Sequence, residues 1–154
     1  RGHLHIIEYL IQHIEGDINP SNSNGDTPLH AAAAGGHLNV VSYYTSILTN
    51  PNPGYLTNDK FRGRTPLHDA AQEGQLPVVH HICSLLEDKN PKDANDETPL
   101  HRAAANGHLD TVEYLVQHVK DKHPKSGVYW GQKTPLDWAK QNRHSEVVNF
   151  LKQF

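Results

Sequence analysis

The chain of 154 residues contains one cysteine, Cys83. No disulfide can close within it, and a lone thiol fits a reducing compartment. Beside Ile82 on an apolar helical stretch, Cys83 reads as a packed thiol. No apolar run approaches the roughly 20 residues that span a bilayer, and no signal-peptide pattern opens at Arg1. The expectations are an intracellular protein, cytoplasmic or nuclear, with no membrane insertion by this segment. Aromatics are sparse, 7% of residues. Also missing are Gly-x-Ser-x-Gly, His-Glu-x-x-His and a Gly-rich phosphate loop with its Lys, so the expectation is that it is not an enzyme and has no catalytic residue and no cofactor. Asp69 and Glu73, four apart on one helix face with Glu97 near them, read as a solvated recognition face. Charge is modest, a net −3, but unevenly spread: residues 119–154 hold seven Lys or Arg against three acids. Those cations lack the interleaved aromatics that stack bases, so nucleic acid is not expected as a partner.

What the chain does have is repetition. Thr-Pro-Leu-His occurs at 27–30, 65–68 and 98–101, and Thr-Pro-Leu-Asp at 134–137. Thr27, Thr65, Thr98 and Thr134 each offer an oxygen to the free N–H groups of a first helical turn. Pro28, Pro66, Pro99 and Pro135 follow at the one helical position where proline forfeits no hydrogen bond. The alanine pairs Ala32-Ala33, Ala70-Ala71 and Ala103-Ala104 then make a helix slim enough for close neighbours. Nine residues after each Thr come Gly36, Gly74, Gly107 or Arg143, a left-handed turn that ends the helix. A second helix follows, with apolar spacing at Leu38, Val40, Val41, Tyr44 and Leu48 and again at Leu109, Val112, Leu115, Val116 and Val119. A column of Tyr9, Tyr43, His81, Tyr114 and Phe150 is expected to stack from copy to copy. One such helix pair cannot bury its own apolar face, so the units must stack.

This combination closely resembles the ankyrin repeat, over essentially the whole chain. The expected fold is all-α, a solenoid of helix-turn-helix units joined by β-hairpin-like loops. The expected division is one domain, 1–154: a partial repeat at 1–22, repeats at 23–60, 61–93 and 94–129, and a C-terminal capping repeat at 130–154. Asp96 stands where Gly25 and Gly63 mark the other hairpins. The second and fourth loops, 49–64 and 121–133, are about five and three residues longer than the shortest. The resemblance implies that His30, His68 and His101 bond the motif threonines and tie adjacent loops together. The histidines that recur in register, His3, His37, His108 and His144 at the turns and His13 and His118 near helix ends, sit about 10 Å apart along a stack. Metal bonds are about 2 Å long, so no metal is expected.

The resemblance also implies a non-catalytic protein–protein interaction module, a monomer binding an unidentified protein partner through hairpin tips and the concave face of the first helices. By register those positions are Asn24, Asp26, Arg62, Arg64, Asp69, Gln72, Glu73, Asn95, Glu97, Arg102, Asn106, Lys133, Trp138, Gln141 and Asn142. Tyr55, Phe61, Tyr129, Trp130 and Trp138 are the expected anchors, because interface energy concentrates in aromatics and Arg. Trp130 and Phe61 could instead pin their own loops. Trp138 and Arg102 are expected to form an exposed patch. The competing expectation is a regulatory or tethering segment of a larger channel or enzyme, with mainly intramolecular contacts.

Overall fold

The computed structural model describes residues 3–54 and 63–154. Among these it contains α1 (Leu4–His13), α2 (Pro28–Ala34), α3 (Leu38–Ile47), α4 (Pro66–Gln72), α5 (Leu76–Leu85), α6 (Pro99–Ala105), α7 (Leu109–His118), a 3-10 turn at Val128–Trp130, α8 (Pro135–Gln141) and α9 (Ser145–Leu151). No strand forms among the described residues. The expected hairpins are instead narrow loops closed by single backbone bonds, such as Asn22 N–H to Asp26 O at 2.9 Å and Asp93 N–H to Glu97 O at 2.8 Å.

The short helices α2, α4, α6 and α8 pack side by side as one layer, and α1, α3, α5, α7 and α9 form a second layer behind them. Seven residues are too few for a helix to persist alone in water, so the inner layer depends on its neighbours. Sequence explains the close approach. Leu29, Leu67 and Leu100 and the alanines Ala33, Ala70, Ala71, Ala103, Ala104 and Ala139 are fully buried. The turns are left-handed where expected, at Gly74 (φ 66°) and Gly107 (φ 78°), and Arg143 holds the same conformation at φ 63°. A Cβ at Gly74 or Gly107 would collide with the ring of His108 or His144 from the next copy.

The outer helices bury Val40, Val41 and Tyr44, then Val78, Val79, Ile82 and Cys83, then Val112, Leu115 and Val116. Burial pushes the Cys83 thiol up to about 12. Leu38, expected on the buried face, is exposed, because it begins α3 at the rim of the layer. α1 buries no residue fully. Ile6 and Leu10 are 48% and 56% exposed, although Val40 and Tyr44, at the same register in α3, are sealed.

The expected aromatic column does not stack on itself. Ring contacts reach to about 7 Å between centroids, and equivalent positions about 10 Å apart are too distant. Its members use other partners. Tyr9 stacks on His13 and Tyr114 on His118, both at 4.2 Å within one helix. Thr45 Oγ1 meets His81 Nε2 at 2.9 Å, and His80 reaches Tyr114 at 5.2 Å.

Candidate functional site

Three sets of recurring side chains hold the frame. The first is the motif histidine. Nδ1 of His68 and of His101 accepts from the backbone N–H of Thr65 and Thr98, each at 3.1 Å. That fixes the neutral Nε2–H tautomer. Nε2 then donates to a carbonyl of the next loop, Glu97 O at 3.0 Å for His68 and Lys133 O at 3.1 Å for His101. His30 reaches Arg64 O at 3.3 Å in the same way. Burial is the main reason these rings resist protonation, holding them near 4 (His30), 3 (His68) and 4 (His101). Asp137, the last member of the series, keeps only half of the task. Its Oδ2 accepts from Thr134 N–H at 3.0 Å and Thr134 Oγ1 at 2.8 Å, and it has no ring N–H to give a further loop. The Thr hydroxyls cap mainly through these partners. Their bonds to first-turn amides are long, 3.5 Å from His101 N to Thr98 Oγ1 and 3.3 Å from Asp137 N to Thr134 Oγ1.

The second set follows the turn. His108 Nε2 donates to Gln72 O at 2.7 Å and His144 Nε2 to Ala105 O at 3.0 Å. Each satisfies a carbonyl at the end of the preceding copy's inner helix that the helix itself leaves without a partner. Gln75 Nε2 does the same for Ala34 O at 3.2 Å.

The third set was legible in the sequence but not read there: Asp17-Ile18-Asn19-Pro20, Asn50-Pro51-Asn52-Pro53, Asp88-Lys89-Asn90-Pro91 and Asp121-Lys122-His123-Pro124. The first carboxylate or amide of each accepts from the backbone N–H two residues on, at 2.9–3.0 Å. This is the local turn such side chains favour. The oxygens of Asn19, Asn52 and Asn90 then accept from Leu29, Leu67 and Leu100 N–H at 3.0–3.1 Å, across 10, 15 and 10 residues. The five extra residues of the second loop therefore lie between this turn and Thr65.

The surface left over follows a rule of its own. In three copies the residue before the motif Thr pairs with the residue five positions on, in the inner helix. Arg64 Nε meets Asp69 Oδ1 at 2.5 Å. Arg102 Nη2 meets Glu97 Oε2 at 2.6 Å, and Asp93 Oδ2 as well at 3.2 Å. Lys133 Nζ lies 4.3 Å over the Trp138 ring. Arg64 also donates to Gln72 Oε1 at 2.9 Å, and Lys133 to the equivalent Gln141 Oε1. The geometry repeats while polarity and chemistry change from copy to copy.

These pairs alter the standing of several expected contact residues. Arg64, Asp69 and Glu97 are buried, so they act as braces inside the strip instead of an open face. Burial raises the Glu97 carboxyl against the opposing pull of Arg102. The three carboxylates expected together each have a partner: Asp69 is held by Arg64, Glu97 by Arg102, and exposed Glu73, which lines one cleft with Asp69, accepts from Gln72. The expected exposed patch of Trp138 and Arg102 does not form. Both are half-buried, and Arg102 Nε and Trp138 Nε1 are shielded from solvent with no partner among the described residues.

Asn24, Asn106, Gln141 and Asn142 are exposed, and Asp26, Gln72, Asn95 and Lys133 partly so. Asn106 Nδ2 donates to Arg102 O at 2.9 Å and Asn142 Nδ2 to Ala105 O at 2.6 Å, steadying the rim. A cleft of about 590 Å³ opens where the first loop faces α4, lined in part by Asn24, Asp26, Ala31, Gln72 and Glu73. Tyr55, Phe61 and Arg62 lie outside the described residues.

Among the described residues, the fourth loop places three exposed apolar side chains in a row on this side. Gly127 N–H donates to Asn95 O at 2.6 Å and Ser126 N–H to Lys133 O at 3.0 Å, pinning the loop to its neighbour and closing its base. Left-handed Gly131 and Gln132 turn the chain back. Between them Val128 is 80%, Tyr129 93% and Trp130 40% exposed. Trp130 also rests 6.4 Å from Trp138, so it both pins its loop and remains accessible.

Among the described residues no group of His, Cys, Asp or Glu is arranged to hold a metal ion, and no helix is long and apolar enough to cross a membrane. The family model described as ankyrin repeats (3 copies) matches residues 1–93 and again 67–153. No curated protein matches the chain.

Proposed function

The chain belongs to the ankyrin-repeat family, whose repeats are generally protein–protein interaction modules, and we propose that it is a non-catalytic adaptor, a monomer inside the cell, that binds a protein partner along the inner-helix rim and loop tips. The observation that carries this reading is the exposed residue at the end of each inner helix, Gly35, Glu73, Asn106 and Asn142, which varies among the copies above the buried braces. A frame needing only spacing and stability would gain little from varying this residue. A surface that selects one partner gains specificity from such a pattern, already held in place before binding. The lone buried Cys83 supports a reducing interior.

The test uses exposed rim positions that leave the braces intact. Glu73→Lys/Asn106→Lys/Asn142→Lys adds positive charge at helix C-termini, where it is tolerated. The triple variant is expected to keep its circular dichroism and melting temperature but to lose the protein that the unaltered domain retains from cell extract. Gln117→Lys/Asn149→Lys, on the outer helices, should retain it. Equal retention by all three proteins contradicts the reading.

A second reading, a tethering segment with mainly intramolecular contacts, draws support from α1. Its exposed Ile6 and Leu10 occupy register positions that are sealed in α3, α5 and α7, and another part of the same polypeptide would suit that face.

A further inference from the structure

The fourth loop combines a braced backbone, exposed apolar side chains and a cationic setting. Its tip is pre-formed, braced at the base and against the third loop, so its apolar side chains are exposed without being loose. Val128 and Tyr129 contribute nothing to the core, being 80% and 93% exposed, and a rigid exposed aromatic is the side chain that most often anchors an interface. The setting is cationic. Lys125, Lys140 and Arg143 are exposed in the same segment and Lys133 sits at the loop base. Against them stand Asp137, held by Thr134 and 4.0 Å from exposed Lys140, and Asp96, paired with Lys92 at 3.2 Å.

Resting on the recognition reading above, we propose that the Val128–Tyr129–Trp130 tip with Lys125 and Lys140 is a docking site for a short acidic polypeptide segment carrying an apolar anchor residue. The apolar residue covers Tyr129 and Trp130, and its flanking carboxylates meet the lysines. A few carboxylates suffice for this charge. A nucleic acid, with a negative charge at every nucleotide, would have to extend past exposed Asp96 on the adjoining copy.

The chain's two tryptophans, Trp130 and Trp138, are both here, so tryptophan emission, excited beyond the tyrosine band, reports on this site alone. A displayed library of random dodecapeptides is selected on the protein, and the enriched peptides are synthesised. Enriched sequences are expected to be net acidic with at least one aromatic or large aliphatic residue. They should shift the tryptophan emission saturably and weaken with salt. Binding should fall roughly 30-fold or more in Val128→Ser/Tyr129→Ser, the scale for truncated anchors. It should fall also in Lys125→Glu/Lys140→Glu, with melting curves confirming both folds.

Enriched peptides that are neutral or basic, or no enrichment, overturn the proposal. So does a single-stranded oligouridylate of twelve nucleotides binding the same site as tightly. Peptides that ignore both tip variants but are lost in Glu73→Lys/Asn106→Lys/Asn142→Lys overturn it while leaving the recognition reading standing.

Discussion

The ring of His68 donates from Nε2 to the carbonyl of Glu97, 3.0 Å away and 29 residues along the chain. At its other nitrogen it accepts from Thr65 N–H. One neutral imidazole thus caps its own helix and fastens the next loop, and only the unprotonated ring can do both.

Acid should therefore unfasten the stack. The folded-state values of His30, His68 and His101, about 4, 3 and 4, lie below the ordinary 6.5, so between those values the unfolded chain binds more protons and stability rises with pH. The contribution is complete above about 6.5 and is lost as pH falls toward 4. At about 1.4 kcal/mol per pKa unit, each ring contributes on the order of 4 kcal/mol, and the three together more than any one motif bond. Asp137, lowered chiefly by its bonds from Thr134, adds a further loss below about 4. Denaturant titrations from pH 8 to 4 should show this steep acid limb. A flat profile from 7 to 5 contradicts the assigned tautomer.

Thr98→Ala removes the hydroxyl 3.0 Å from His101 Nδ1 at a buried site. A loss of about 1 kcal/mol or more is expected, against less than about 0.5 kcal/mol for exposed Lys152→Ala. Equal losses in urea titration contradict the structural role of the motif.

Arg143 holds φ 63° where Gly74 and Gly107 hold 66° and 78°, and its side chain is exposed. Arg143→Gly removes a left-handed penalty of about 1 kcal/mol with no contact in exchange. Melting temperature should rise by roughly 2–4 °C. A fall would mean that the arginine makes a contact worth more than its strain.

Leu10 and Leu115 share one register position, 56% and 0% exposed. Leu10→Ala should cost under about 1 kcal/mol, whereas Leu115→Ala should cost 2–5, the range for a buried leucine. Similar costs would show that α1 is covered in solution.

Much of this architecture was legible because it repeats. Thr-Pro, the alanine pairs and the turn glycines each state a local backbone requirement, and four copies make the period plain. The turn from Asp17 to Asn19, and its later copies, was equally periodic but hidden by alternation between Asp and Asn and by loops of unequal length. The recognition surface was harder to read. Register located Arg64, Asp69, Glu97 and Arg102 on one side, but not that they would spend their charges on one another. Their pairing is a property of side-chain reach across five residues, and it turned expected contacts into braces. Trp138 was read as exposed for the same reason: nothing in its own copy's sequence announces that Lys133 and Trp130 lie over it.

The central claim is that recognition occurs on the inner rim and loop tips and not on the outer helices. Photo-crosslinking tests it most directly, with a benzophenone amino acid placed singly at Tyr129, Asn106 and Gln117 and the protein irradiated in living cells. Discrete, heavier adducts to a common partner are predicted from positions 129 and 106, and none from 117 on α7. Adducts from 117 alone, or the same adduct from all three positions, would contradict the account.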